Sequence, residues 1–216
     1  ESYQVDNHKI KQINPGVDYE LFVPDQSIER ENIFLSIGRI QQQKGQLETL
    51  RFLNSFKEVE TDFMCYFVGG PSGSSGDEYL SELKESVKEL SLSSHVEFLG
   101  NLPQVDIRNL LNSAKLLIHT SQYETFGLVA IEANSMGVPV LTTNNGSMQE
   151  IITNKENGYL VDGLDYQDVS ISIKNLINDD QYFEERMINC MNKSKDYKWE
   201  NTVDKLLDLY QEAKFS

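Results

Sequence analysis

Leu116-Leu117-Ile118-His119-Thr120-Ser121-Gln122-Tyr123-Glu124-Thr125-Phe126-Gly127-Leu128-Val129-Ala130-Ile131-Glu132-Ala133 is an apolar strand that runs into a loop and leaves it as a helix. The helix ends near Met136-Gly137, and a second apolar strand, Val138 to Thr142, follows directly. Glu124 is thereby predicted on the loop at a strand's C-terminal end, and Glu132 about two turns into the helix. Phe126, Gly127 and Leu128 fall at the helix N-terminus, where unpaired N–H groups point at whatever sits above the sheet. Two carboxylates with seven residues between them bracket those N–H groups. An anion held on the amides, with a carboxylate on either side to bind hydroxyls, describes a sugar diphosphate.

Working outward, strands and helices alternate. Ile33 to Ile37 is short and apolar and ends at Gly38; Phe63 to Val68 and Val96 to Leu99 read the same way. Between them, Leu47, Leu50 and Leu53 mark a helix over 46–56, and Leu80, Leu83, Val87 and Leu90 mark one over 79–90. A further helix is expected over 105–113, and Gly158 to Val161 as an edge strand. Apolar strands alternating with amphipathic helices imply an α/β fold with a parallel sheet covered on both faces. In such sheets the ligand lies outside the carboxyl ends of the strands. Residues 168–178, 181–195 and 201–214 read as helices with little strand signal between them.

Two more loops reach the same sheet edge. Gly38-Arg39-Ile40 is followed by Gln41-Gln42-Gln43-Lys44-Gly45, so that Arg39 and Lys44 project from one loop and glycine lets a ligand approach the backbone. Alone this is a solvated loop with two surface cations; beside the Glu124 segment it reads as a diphosphate site. Thr142-Thr143-Asn144-Asn145-Gly146-Ser147 is a polar loop whose plain reading is Asn-Gly turn chemistry. Val68-Gly69-Gly70-Pro71-Ser72-Gly73 lacks the dinucleotide spacing and does not follow the first strand, so no nicotinamide site is assigned to it. His119 reads first as a packed strand histidine and second as a neighbour of the ligand. No D-x-D pair and no His/Cys cluster occurs, so no metal site is expected.

The bulk composition narrows the classes. The chain has 216 residues, 39% of them hydrophobic, and a formal charge of −15. That charge argues against nucleic acid as a partner, which rewards a basic surface. Two cysteines, Cys65 and Cys190, are too few for a disulfide framework, and Cys65 is expected as a buried thiol. With no apolar run long enough to span a membrane, a cytoplasmic protein is expected. A chain that begins at Glu1 is read as a piece of a longer protein.

Taken in order, these motifs resemble those of the family 4 retaining glycosyltransferases, in their C-terminal, nucleotide-sugar-binding domain. Ile13-Asn14-Pro15-Gly16-Val17-Asp18 resembles the segment leading into that domain. Gly38-Arg39 with Lys44-Gly45 resembles the phosphate loop, and Glu124 to Glu132 the E-x7-E motif. Tyr197-Lys198-Trp199-Glu200 resembles the start of the last helix. The resemblance implies a Rossmann-like, doubly wound half of a GT-B fold with extra C-terminal helices. Residues 1–30 would be a lead-in and hinge region and 31–195 the nucleotide-sugar domain. Residues 196–216 would be a helix crossing back to an N-terminal acceptor domain absent from this chain.

The implied roles follow by position. Arg39 and Lys44 bind the donor diphosphate and stabilise charge on the leaving nucleotide, with Gly38 beside them. Glu124 binds a hydroxyl of the donor sugar, Phe126, Gly127 and Leu128 offer N–H groups, and Glu132 accepts the ribose hydroxyls. The loop 101–104, with Gln104, meets the base. Arg39, Lys44 and Glu124 form the expected catalytic set. No cofactor or metal is implied; the substrate is a nucleoside diphosphate sugar. Gly38-Arg39-Ile40-Gln41, Val68-Gly69-Gly70-Pro71-Ser72-Gly73 and Asn145-Gly146 most resemble the sucrose-phosphate-synthase and inositol-phosphate-glycosyltransferase branches of the family, and that resemblance implies a UDP-sugar in preference to a GDP-sugar. The acceptor is left open among polysaccharide, lipid and small sugar phosphate, and the full-length protein is allowed a peripheral place at the inner membrane face. Where the family often has Gly-Gly before the acidic residue at Glu150, this chain has Gly146-Ser147. The alternatives are a non-catalytic nucleotide-sugar-binding subunit and a sugar-nucleotide epimerase or phosphorylase of the same fold. The fragment alone is expected to bind nucleotide without turnover.

Overall fold

The computed structural model describes residues 10–163 and 166–214. Six strands are formed: β1 (Ile33–Ile37), β2 (Met64–Val68), β3 (Val96–Gly100), β4 (Leu116–His119), β5 (Val140–Thr143) and β6 (Gly158–Val161). Between and after them come α1 (Gln46–Phe56), α2 (Gly76–Glu89), α3 (Gln104–Ser113), α4 (Leu128–Ser135), α5 (Met148–Ile151), α6 (Gln167–Asn178), α7 (Asp180–Ser194) and α8 (Trp199–Lys214). The strands form one sheet in the order β3-β2-β1-β4-β5-β6, and each neighbouring pair is parallel. The chain winds outward from β1 to β3, then returns through α3 to start β4 on the other side of β1. The direction of winding thus reverses between β1 and β4, which opens a crevice at their C-terminal ends.

Strand alternation explains why both faces are covered. Phe34, Leu116, Ile118 and Leu141 point to one side, into a core closed by Leu50, Leu53 and Phe56 of α1, Leu83 of α2 and Ile173 of α6. Ile33, Leu35, Leu117 and Val140 point to the other, against Leu111 of α3, Ala130, Ile131 and Ala133 of α4, and Ile151 of α5. The strands have no solvent face to mark with polar residues, so they read as continuous apolar runs. Cys65 and Cys190 are buried free thiols.

Element ends differ from the sequence reading where apolar periodicity is silent. The last sheet strand but one starts at Val140 rather than Val138, since Pro139 has no N–H to give the ladder and offers only its carbonyl, to Leu117 N at 3.0 Å. Helix α2 begins three residues early because Asp77 and Glu78, polar but well placed against a helix's positive end, carry no apolar signal. Helix α4 begins at Leu128, which puts Glu132 one turn into it, not two.

Arg30 anchors the opposite end of the sheet. Its guanidinium donates to the carbonyls of Leu111 and Ala114 at the end of α3 and of Met136 at the end of α4. One cation thereby satisfies carbonyls at two helix C-termini. The lead-in segment meets the C-terminal one: Val17 N donates to Tyr197 O at 2.8 Å, and Tyr19 and Ser194 share a 2.6 Å hydrogen bond. On α8, Trp199, Val203, Leu207 and Tyr210 form an exposed apolar stripe at helical spacing. Among the described residues no helix is long and apolar enough to cross a membrane.

Candidate functional site

The loop after β1 and the loop after β4 are joined at the crevice. Gly45, at φ +71°, lies so close to Thr120 that a Cβ there would collide with the Thr120 carbonyl oxygen. Thr120 Oγ1 donates back to Gly45 O at 2.7 Å. Gln122 N and Ser121 Oγ both donate to Gln43 O, at 2.9 and 3.1 Å. A short 3-10 turn, Gln42–Lys44, sets the direction in which the lysine leaves the loop. Lys44 Nζ thereby reaches Glu124 Oε2 at 2.8 Å.

Glu124 has a second partner. His119 ends β4, is 6% exposed, and places Nε2 3.1 Å from the same Oε2. A carboxylate only accepts, so the ring presents Nε2–H. The His119 hydrogen bond, and then that of Lys44, outweigh burial and hold the Glu124 carboxyl down at about 2. Glu124 is therefore an anion across ordinary pH. Its backbone is fixed as well: Ser147 Oγ donates to Phe126 O at 2.9 Å and to Glu124 O at 3.4 Å. Gly146 lies under that carbonyl, 2.7 Å from where its Cβ would be. The serine that departs from the Gly-Gly pattern thus ties the Glu124–Phe126 loop to α5.

Helix α4 begins from Gly127, whose φ of +87° turns the chain from loop into helix. Among the described residues, the N–H groups of Phe126, Gly127 and Leu128 donate to no other group. Leu128 is exposed, and the Phe126 ring lies edge-on to Tyr197, centroids 5.9 Å apart. Glu132 follows one turn later. Its carboxylate is half-buried and makes no hydrogen bond or ion pair among the described residues, and burial pushes its pKa up. A half-buried carboxylate left without a protein donor is open to accept hydrogen bonds from a ligand.

Arg39 is exposed and its guanidinium is uncommitted among the described residues; its backbone carbonyl is held by Gln46 Nε2 at 2.8 Å. Space stands open above Gly38: no atom lies within 4 Å of where its Cβ would be. Gln104, exposed at the first position of α3, is farther away, since β3 is separated from β4 by two strands. Its loop is tied inward by Asn101 Oδ1, which accepts from Gly70 N at 2.7 Å. So Lys44 and Glu124 are in direct contact, Glu132 and the three amides share the α4 start, and Gln104 stands at the rim. His119 is the packed strand histidine of the first reading, and its contact with Glu124 is what sequence reasoning missed. Its place at the last position of the strand entering the motif was the available signal. Among the described residues no group of three His, Cys, Asp or Glu side chains could hold a metal ion.

The sequence model of the glycosyl transferases group 1 family matches residues 19–194. A D-inositol 3-phosphate glycosyltransferase of Corynebacterium urealyticum is 32% identical over 225 residues, covering 98% of this chain and 53% of its own length. The chain spans about half the length of the curated relatives it matches. Among solved structures, the sucrose-phosphate synthase of Thermosynechococcus elongatus aligns with a TM-score of 0.80 and 26% identity, over 93% of this chain and 52% of that one. HepE of Anabaena, solved with UDP, shares the fold with a TM-score of 0.83 at 23% identity, over 94% of this chain and 57% of that one. The C-terminal domain of a glycosyl transferase group 1 protein of Francisella tularensis, LpcC, aligns over 85% of this chain and 99% of its own, with a TM-score of 0.72 and 25% identity.

Proposed function

The chain belongs to the glycosyl transferases group 1 family, and on that premise we propose that it is the donor-binding half of a retaining glycosyltransferase. The donor is a nucleoside diphosphate hexose, a UDP-sugar in preference to a GDP-sugar, and the sugar passes to an acceptor hydroxyl. Arg39 and Lys44 take the diphosphate and neutralise the charge that grows on it as the glycosidic bond breaks. The free N–H groups of Phe126, Gly127 and Leu128 face the distal phosphate and the sugar. Glu124 accepts a sugar hydroxyl, Glu132 accepts the ribose hydroxyls, and the loop at Gln104 borders the base. Two cations do for the diphosphate what a divalent metal does elsewhere, so no metal is needed in this scheme.

The observation that carries this reading is the half-buried carboxylate of Glu132, without a hydrogen-bond partner among the described residues, one turn behind three amides that are likewise unpaired among them, with Lys44 and Glu124 at the same crevice. Such a group is costly unless a ligand supplies hydroxyls to it. In this reading the acceptor side is built by a second domain, in line with a chain that spans about half the length of the curated relatives it matches. The apolar stripe of α8 (Trp199, Val203, Leu207 and Tyr210) is the surface proposed to pack on that domain. The test is calorimetric titration with UDP, GDP and ADP. Selective binding of UDP, lost in Glu132→Ala, is expected. A full-length protein that binds none of the three overturns the reading.

A further inference from the structure

Glu124 Oε2 accepts from two donors of unlike character. Lys44 reaches it from the loop after β1 on a flexible four-carbon stem, with its side chain 23% exposed. His119 reaches it from within the sheet, where its backbone is paired in register with Thr142 of β5 and its ring is buried. Among the described residues, Oε1 of the same carboxylate accepts no hydrogen bond.

We propose that these two donors have different duties: Lys44 is an exchangeable counter-ion, and His119 is the fixed positioning residue that keeps Glu124 aimed when Lys44 leaves. This deepens the donor-site reading and rests on it. An incoming diphosphate carries more charge than one carboxylate and offers several acceptor oxygens, so it draws the Lys44 ammonium away from Glu124. A carboxylate released by its cation in a half-buried place would turn toward water or another donor. His119 prevents that, because Nε2–H stays on Oε2 and its ring cannot follow the lysine out of the strand. Oε1 then stands free to accept a sugar hydroxyl in a fixed orientation. The diphosphate and the sugar are thus bound by groups that hold each other here and part when the donor binds.

The test compares UDP with UDP-glucose, and GDP with GDP-mannose, on the full-length protein by calorimetry, using the pair that the wild type binds more tightly. In His119→Leu the nucleotide alone is expected to bind within about twofold of wild type, while the added affinity from the sugar falls about tenfold or more, the usual worth of a hydrogen bond to a charged group. His119→Gln, whose amide N–H sits near the place of Nε2–H, is expected to restore it. His119→Asn, whose shorter side chain cannot reach, is expected to behave as His119→Leu and serves if the leucine variant does not fold. Sugar affinity unchanged in the leucine or asparagine variant overturns the proposal, as does a wild type that binds the sugar nucleotide no tighter than the nucleotide. A wild type that binds neither pair removes the donor-site reading itself, and this inference with it.

Discussion

Lys44 Nζ lies 2.8 Å from Glu124 Oε2, although 80 positions of sequence separate the two residues. The contact bridges the loops after β1 and β4, the two strands between which the sheet reverses its winding. A charge pair at that place pairs groups that a charged, hydroxylated ligand can compete for.

Arg39 and Lys44 are expected to separate cleanly on substitution. Arg39→Ala removes an exposed cation that is uncommitted among the described residues, so the unfolding free energy from urea should hold within about 0.5 kcal/mol of wild type while UDP affinity falls about tenfold or more. Lys44→Ala should weaken UDP by a similar factor and also cost about 1 kcal/mol of stability, since it breaks a partly buried pair. Parallel calorimetry and urea unfolding check both; UDP binding unchanged in the double variant would remove both residues from the phosphate role.

The Glu124 carboxyl, ordinarily at 4.5, is held at about 2 by His119 and then Lys44. Between those values the unfolded chain binds the proton and the folded one does not, so stability falls as pH drops through that window. Above about pH 4.5 the contribution is complete. Glu124→Gln should therefore be less stable than wild type at pH 7, with the difference shrinking toward pH 2. Urea midpoints at pH 7, 4 and 2.5 measure it; a constant difference across the series would contradict the assignment.

Glu132 has the opposite sign. Burial raises its pKa, so in the window above the ordinary value the folded state keeps a proton that the unfolded chain gives up, and stability is lost as pH rises through it. Glu132→Gln is expected to be more stable than wild type at pH 7 in the absence of ligand, and to bind UDP about tenfold more weakly. A structural glutamate would do the reverse, losing stability and keeping affinity.

Gly45 and Gly127 both have positive φ, at +71° and +87°, yet they should differ in cost. A Cβ on Gly45 collides with the Thr120 carbonyl, which is backbone and part of the joint between the two loops. On Gly127 it meets the methyl end of Met148, which can swing aside. Gly127→Ala should cost about 1 kcal/mol of backbone strain; Gly45→Ala should add about 1–3 kcal/mol of overlap and weaken nucleotide binding by moving Lys44. Thermal unfolding of the two variants, read side by side, checks the order.

Much of the fold was legible because its signals are local. Ile33–Ile37, Gln46–Phe56 and Gly158–Val161 are found where apolar runs and helical spacing place them. Two of the boundaries that moved are set by other forces: the missing N–H of Pro139, and the acidic first turn of α2 with no apolar periodicity. The Glu124 to Glu132 segment announced itself by spacing, and the placement of Glu124 after a strand holds. Glu132 came one turn nearer the loop because Gly127, at positive φ, delays the helix start.

Sequence alone determined the alternation of strands and helices, the parallel sheet, and the set of polar loops at its C-terminal edge, because each depends on neighbours within a few residues. The tertiary structure decided which of those side chains meet. The strand order puts β1 beside β4, Gly45 lets their loops touch, and only then do Lys44 and His119 converge on Glu124 while Glu132 is left with no partner among the described residues. Such contacts depend on the packing of segments distant along the chain, and no local pattern of residues encodes them.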